Sequence, residues 1–217
     1  SDDTTNLKSG EVFDPTKSEG WVPMAEMTTA RNYPAAAALN GKIYIMGGRD
    51  TSSLTLKSCE VFDLTAGAWS DIADMATARQ TLASAALGSK VYAIGGFDGT
   101  SKLATCEIFD TSNPSAGWRA ISAMNIARQG PGAAALNGRI YVAGGRGSTG
   151  EGTLKSAEVF DPHSGWTQIA DMKGPRASFG AAVLGGKFII AGGSSYSVTA
   201  PFSSAEAYFC VGNSAQL

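Results

Sequence analysis

Apolar and polar positions alternate along this chain in short runs that return at a fixed interval. The clearest run is Leu39-Asn40-Gly41-Lys42-Ile43-Tyr44-Ile45-Met46-Gly47-Gly48, and it recurs as 87–96, 136–145 and 184–193. Its glycine pairs fall at 47–48, 95–96, 144–145 and 192–193, so the steps are 48, 49 and 48 residues. A second phrase, Glu11-Val12-Phe13-Asp14, returns at 60–63, 107–110 and 158–161, with a worn copy, Glu206-Ala207-Tyr208-Phe209. Trp21, Trp69, Trp118 and Trp166 keep the same step, as do Met27, Met75, Met124 and Met172, and Arg31, Arg79, Arg128 and Arg176. A period of this size marks a repeat architecture in which each unit buries its core against its neighbours.

Each period reads as four short strands, a to d. Strand a is rich in small residues, as in 34–39 and 83–87; strand b is the β-branched and aromatic run ending in Gly-Gly; strand c is the Glu-Val-Phe-Asp phrase; strand d begins at the tryptophan. Asn40-Gly41 and Asn137-Gly138 mark tight a–b hairpins, because both residue types tolerate positive φ. Asp14-Pro15, Asp63-Leu64 and Asp161-Pro162 mark the c–d turns. No segment carries a helical period. Four-stranded antiparallel units of this length describe the blades of a β-propeller. Strand a would lie nearest the axis, which suits Ala35-Ala36-Ala37-Ala38 and Ala133-Ala134-Ala135. The strand-b aromatic and the tryptophan would form the layer between blades, each burial being worth about 2–3 kcal/mol.

The diglycine, the Ile43-Tyr44 pair, the Glu-Val-Phe-Asp phrase and the spaced tryptophan together resemble the Kelch repeat over residues 10–210. In this reading Phe188 stands for the strand-b tyrosine of the fourth copy. The expected fold is all-β, a propeller of about four blade equivalents in one domain spanning 1–217, with polar tails at 1–9 and 211–217. The strands run c-d, three times a-b-c-d, then a-b-c. C-terminal a-b could complete a blade with N-terminal c-d and leave one c strand over. The resemblance itself favours six or more blades, so closure stays open: a four-bladed ring, part of a larger ring, or two chains pooling blades. An open arc would expose blade faces and strand edges, so a homo-oligomer is a further expectation.

Composition narrows the function more than the fold. A net charge of −2 leaves no electrostatic footprint for nucleic acid or an anionic membrane, and no apolar run reaches the length of a membrane helix. No signal peptide is legible at Ser1. Cys59 and Cys106 share one repeat position, filled by Gly10, Ala157 and Ala205 in the other copies, which reads as a small buried slot. Three cysteines do not make a disulfide framework, and this leans towards a reducing, cytoplasmic compartment.

In a propeller the b–c and d–a connections emerge together around the channel mouth. The b–c loops, 49–56, 97–103, 146–154 and 194–203, vary while the strands do not, and variable loops on a rigid scaffold carry specificity. Candidate partner-binding residues there are Arg49, Asp50, Phe97, Asp98, Arg146 and Tyr196, with Tyr33, Gln80, Gln129 and Ser178 from the d–a side. The resemblance implies ligand-peptide contacts just after Gly-Gly and just after the strand-a arginine. The four repeated arginines read as structural, bonding Glu60, Glu107 or Glu158 and loop carbonyls, since a residue kept in every copy serves every blade. The lone histidine, His163, sits in a c–d turn, and no Cys/His spacing suits a metal. The reading is therefore a non-catalytic module for a protein or peptide partner, with no cofactor. The alternatives are a carbohydrate-directed Kelch enzyme or lectin, and an assembly unit acting through exposed blade faces.

Overall fold

The computed structural model describes residues 6–148, 150–195 and 204–209. Seventeen strands and one 3-10 turn, Pro114–Ala116, are found among them. Strands β3 (Ala35–Leu39), β4 (Lys42–Met46), β5 (Cys59–Asp63) and β6 (Ala68–Ile72) form the first complete antiparallel sheet. The second holds β7 (Ala83–Leu87), β8 (Lys90–Ile94), β9 (Cys106–Asp110) and β10 (Trp118–Ile121). The third holds β11 (Gly132–Leu136), β12 (Arg139–Ala143), β13 (Ala157–Asp161) and β14 (Gly165–Ile169). A three-stranded sheet follows, β15 (Gly180–Leu184), β16 (Lys187–Ala191) and β17 (Ala205–Phe209), and a two-stranded one, β1 (Gly10–Phe13) with β2 (Trp21–Met24), precedes the rest. The innermost strands β3, β7, β11 and β15 pack in succession, which is the arrangement of a β-propeller.

Alternation along strand b decides how blades interlock. Val91 and Ile140 point back at the preceding blade and are fully buried, while Tyr44, Tyr92 and Tyr141 point forward. Each forward tyrosine meets the strand-c aromatic of the next blade: Tyr44 with Phe109 at 6.2 Å, Tyr92 with Phe160 at 6.0 Å, Tyr141 with Tyr208 at 5.8 Å. Such ring pairs add about 0.5–1.5 kcal/mol beyond the area they bury. Strand a is small because its neighbour is close: a Cβ on Gly132 would lie 2.8 Å from the Ala181 Cβ and 2.4 Å from the Phe179 ring.

Four expectations need correction. Phe188 pairs with Val183 as Ile43 pairs with Ala38, so it takes the place of Ile43, and Ile189 takes that of Tyr44. One residue of shift turns a strand side chain to the other face, and Phe188 accordingly packs backwards on Tyr141 at 6.0 Å. The blade shared between the two termini does not form among the described residues, where β17 occupies the edge of β16 and β1 pairs with β2 alone. Trp21 is not in a buried layer. It is 67% exposed beside Phe13, since no sheet packs on that face of β1–β2 among the described residues. The N-terminal tail is shorter than 1–9: Leu7 bridges Arg31 and the Lys8 carbonyl accepts from Met27 N–H, as Leu56 and Lys57 do for Arg79 and Met75.

The repeated arginines join blade to blade. Arg79 donates its backbone N–H to Leu56 O (2.9 Å) and accepts at its carbonyl from Gly48 N–H (2.7 Å), both on the first blade. Its guanidinium reaches into the second, to Gly95 O, Thr105 O, Thr105 Oγ1 and Glu107 Oε1. Arg128 repeats this with Leu103, Gly96, Gly144, Ser156 and Glu158. Arg176 does so with Leu154, Gly145, Gly192, Ser204 and Glu206. The glutamates are satisfied from their other side by link amides, as Glu60 is by Thr28 and Thr29. The diglycine follows from this packing. Gly47 has φ 63°, and a Cβ there would stand 2.2 Å from the Arg79 carbonyl oxygen.

Removing one partner of a fully buried ion pair leaves the other charge uncompensated. Arg128→Ala should therefore lower the unfolding free energy by about 3–5 kcal/mol, read as a reduced urea midpoint. Burial pushes the Cys59 and Cys106 thiols up to about 12, so both stay protonated in the folded chain near neutral pH. At pH 8, alkylation followed by peptide mapping should leave both cysteines unmodified in the native protein and label both in denaturant.

Candidate functional site

The chain rises to the mouth face through its diglycines. After each pair the backbone runs antiparallel to the link that enters the same blade. Arg49 exchanges both backbone hydrogen bonds with Asn32 (2.8 and 2.9 Å), Phe97 with Gln80 (2.9 and 2.9 Å), Arg146 with Gln129 (2.7 and 3.0 Å), and Ser194 with Ala177 (3.0 and 2.9 Å). The returning loop adds a third line, with bridges from Arg49 to Thr55, Phe97 to Lys102 and Arg146 to Thr153. The predicted residues Arg49, Gln80, Phe97, Gln129 and Arg146 thus share one construction, repeated blade by blade.

The next residue of each link is left-handed: Tyr33 (φ 55°), Thr81 (50°), Gly130 (64°) and Ser178 (56°). This backbone turn lets the links bond to one another around the mouth. Thr81 N–H donates to Tyr33 O (3.0 Å), Gly130 N–H to Thr81 O (2.8 Å) and Ser178 N–H to Gly130 O (3.0 Å). Tyr33 and Ser178 therefore occupy one repeat position, and Gln80 and Gln129 occupy the one before it. A left-handed non-glycine residue costs of the order of 1–3 kcal/mol and persists only where its surroundings fix it. Here the rim of interblade hydrogen bonds fixes it.

Side chains at the mouth divide into two kinds. The acidic ones are engaged in their own loops. Asp50 Oδ1 accepts from the Ser52 and Leu54 amides (2.9 and 2.8 Å), and Asp98 Oδ1 from those of Thr100 and Ser101 (2.7 Å each). The Ser101 and Thr100 amides hold the Asp98 carboxyl below its ordinary value of 3.8. Of the others, Tyr33 and Ser178 are exposed, while Arg49, Gln80, Phe97, Gln129 and Arg146 are half-buried. Tyr33 is 53% exposed, and the Arg49 guanidinium stands over its ring at 5.8 Å, within range of a cation–π contact. Arg49 Nε is shielded from solvent and has no hydrogen-bond partner among the described residues. Gln80 Nε2 donates to Thr55 Oγ1 at 3.0 Å, tying the second link to the first loop. Tyr196 lies outside the described residues.

Sequence reasoning passed over Asn6 and Thr55. Asn6 Nδ2 donates to Arg49 O at 2.8 Å, and Thr55 receives Gln80. A signal for Thr55 existed, since Thr55-Leu56 and Thr153-Leu154 close their loops alike, but unequal loop lengths break the period there. His163 lies in its c–d turn, where its backbone N–H caps Asp161, and no group of three His, Cys, Asp or Glu residues suited to a metal exists among the described residues.

A family model described as the KLHDC2/KLHL20/DRC7 Kelch-repeats domain matches residues 4–195. The chain belongs to the Kelch-repeat family. Among solved structures it is similar to one titled "Structure of YjhT", with a TM-score of 0.72 and 13% identity over 87% of this chain and 73% of that one. At that identity the likeness speaks for the propeller fold alone. No curated protein matches it in a sequence search. The matched span covers the sheets from β1 to β16, so the ladder and rim at the mouth are built by Kelch repeats throughout.

A carboxylate held below its ordinary value, as Asp98 is, adds stability above that value, and the contribution fades as pH falls through the folded one. Carboxyl-detected NMR should place the Asp98 midpoint below 3.8, and the Thr100 and Ser101 amide shifts should move with the same midpoint.

Proposed function

We propose that this Kelch propeller is a non-catalytic interaction module that holds a protein or peptide segment on its mouth face. The observation that carries the reading is the mismatch between backbone and side chains there. One hydrogen-bonded ladder recurs in four blades, yet the residue that follows the diglycine in it changes from Arg49 to Phe97 to Arg146 to Ser194. A structural role would keep the residue, as the buried arginines are kept. A binding role would vary it so that each blade reads a different part of one ligand.

The chemistry at the face suits a peptide. The Arg49 guanidinium stands over the exposed Tyr33 ring, which favours a carboxylate or backbone carbonyl beside the tyrosine. Phe97 adds apolar contact between the two arginine-bearing blades. Gln80 and Gln129 place amides beside them, able to donate to and accept from an extended backbone. The family is one commonly used for protein interaction, which agrees with this reading.

A peptide library displayed on phage and selected against the immobilised chain gives ligands with which to test it. Arg49→Ala combined with Arg146→Ala should weaken the selected peptides tenfold or more, since each lost charge-assisted hydrogen bond is worth about 1.5–3 kcal/mol. The melting temperature should stay within a few degrees, because neither residue belongs to the buried ion pairs between blades. Unchanged affinity in the double variant refutes the assignment.

A further inference from the structure

In each complete blade the residue after the diglycine lies directly opposite the residue that closes its loop. The pairs are Arg49 with Thr55, Phe97 with Lys102, and Arg146 with Thr153. The bonds on either side fix each pairing. Around Arg49 and Thr55, Asp50 N–H donates to Leu54 O (3.0 Å) and Leu56 N–H to Gly48 O (2.8 Å). Around Phe97 and Lys102, Asp98 N–H donates to Ser101 O (3.1 Å) and Leu103 N–H to Gly96 O (2.9 Å). The third ladder repeats this with Gly147 N–H on Gly152 O and Leu154 N–H on Gly145 O (2.8 Å each). Two residues framed in this way exchange no backbone bond, stand about 4.5 Å apart at Cα and turn their side chains to the same side.

Across these pairs one property is kept while its place moves. Blades one and three put an arginine after the diglycine and a threonine opposite it. Blade two puts a phenylalanine after the diglycine and a lysine opposite it. Every pair therefore holds one cation, and in the second it is Lys102. The ladders themselves do not ask for this, since they close through backbone bonds. Lys102 is half-buried and belongs to none of the ion pairs formed among the described residues.

The neighbouring acids are spent elsewhere. Successive side chains on an extended chain turn to opposite sides, so Asp98 faces away from Lys102, with its Oδ1 on the Thr100 and Ser101 amides. Asp50 is placed likewise beside Arg49, and Glu151 Oε2 accepts from the Ser148 amide within its own loop. The first two blades also abut at this level, where Gln80 Nε2 reaches Thr55 Oγ1 and a Cβ on Gly99 would stand 3.3 Å from the same oxygen.

We propose that Lys102 is a ligand-binding residue of the mouth and that the segment held there is acidic, with a carboxylate set against Lys102 between those set against Arg49 and Arg146. This rests on the mouth-face reading and adds the chemical class of the ligand and the residue by which the second blade reads it. Complementary charge at three successive blades speeds encounter with acidic segments and selects against basic ones.

The phage-selected peptides are the probe. They should be enriched in Asp and Glu. Lys102→Gln should weaken the tightest of them about fivefold or more, with a shallower loss of affinity on adding salt, whereas Lys102→Arg should stay within about twofold. The same peptide with Asp and Glu replaced by Asn and Gln should bind the wild type and Lys102→Gln alike. Full binding by Lys102→Gln, where the Arg49→Ala, Arg146→Ala variant is weakened, overturns this proposal and leaves the mouth reading standing. Peptides without acidic enrichment overturn it as well. Full binding by both variants, or a selection that returns no peptide, overturns the two readings together.

Discussion

The buried arginine is the element on which the other features depend, because it belongs to two blades at once. Its backbone is bonded into the loop stem of one blade while its side chain is bonded into the core of the next. Burying a guanidinium and a carboxylate costs several kcal/mol per ion, and attraction between them only roughly returns it. What offsets the remainder is saturation of both groups. Arg128 reaches Glu158, two carbonyls and the Ser156 hydroxyl, and Glu158 also takes the Asn125 and Ile126 amides. The pair therefore adds modest net stability but fixes position, since few other placements would satisfy so many buried polar atoms. The aromatic pairs between blades supply adhesion, and the arginines supply registration.

Registration is what a mouth face needs. Gly48 can meet the Arg79 carbonyl only because the diglycine has no side chains, and this contact sets where Arg49 leaves the blade. The link continuing from the same arginine then carries Gln80 and the left-handed Thr81, so the ladder and the rim are both placed from one point. The loops extend from this frame and are closed by their own acids. Asp50 and Asp98 each gather two loop amides, which holds the turn without help from the rest of the protein. Loop sequence can thus change at little cost to the blades beneath.

That division explains what could be read in advance. The strands, the arginine pairs and the tryptophan seats were legible because every blade asks the same of its residues, and a shared demand leaves a period. The mouth residues were legible only by location. That Arg49 stacks on Tyr33 while Asp50, one residue on, turns into its own loop depends on backbone direction, which composition does not reveal. Phe188 shows the limit most sharply. An aromatic at strand b looks like the tyrosine, but pairing with Val183 sets it one step away, and in a strand one step is the opposite face. Leu7 was missed for another reason: its loop stem is part of a unit whose inner strands are not in the described chain, so no full period frames it.

The ends of the molecule show that a blade's stability is borrowed. Ile43 and Val91 occupy the same place on strand b, yet Ile43 is 37% exposed and Val91 not at all. The difference is the neighbour. Val91 faces a complete sheet, whereas the sheet before Ile43 has two strands among the described residues, which reach the outer part of the blade through Trp69 and the Ala25 carbonyl. The last sheet repeats this: Leu184 of β15, on the face turned away from the third blade, is exposed, while Phe188 and Ile190, which face that blade, are buried. With coupling confined to adjacent units, each interface contributes separately, and a unit with one neighbour keeps about half the burial of a unit with two. The two interfaces between complete sheets, from β3 to β14, therefore bury the most, while Arg176 registers the last sheet through Glu206 and the Arg31 backbone ties the first to the Leu7 carbonyl.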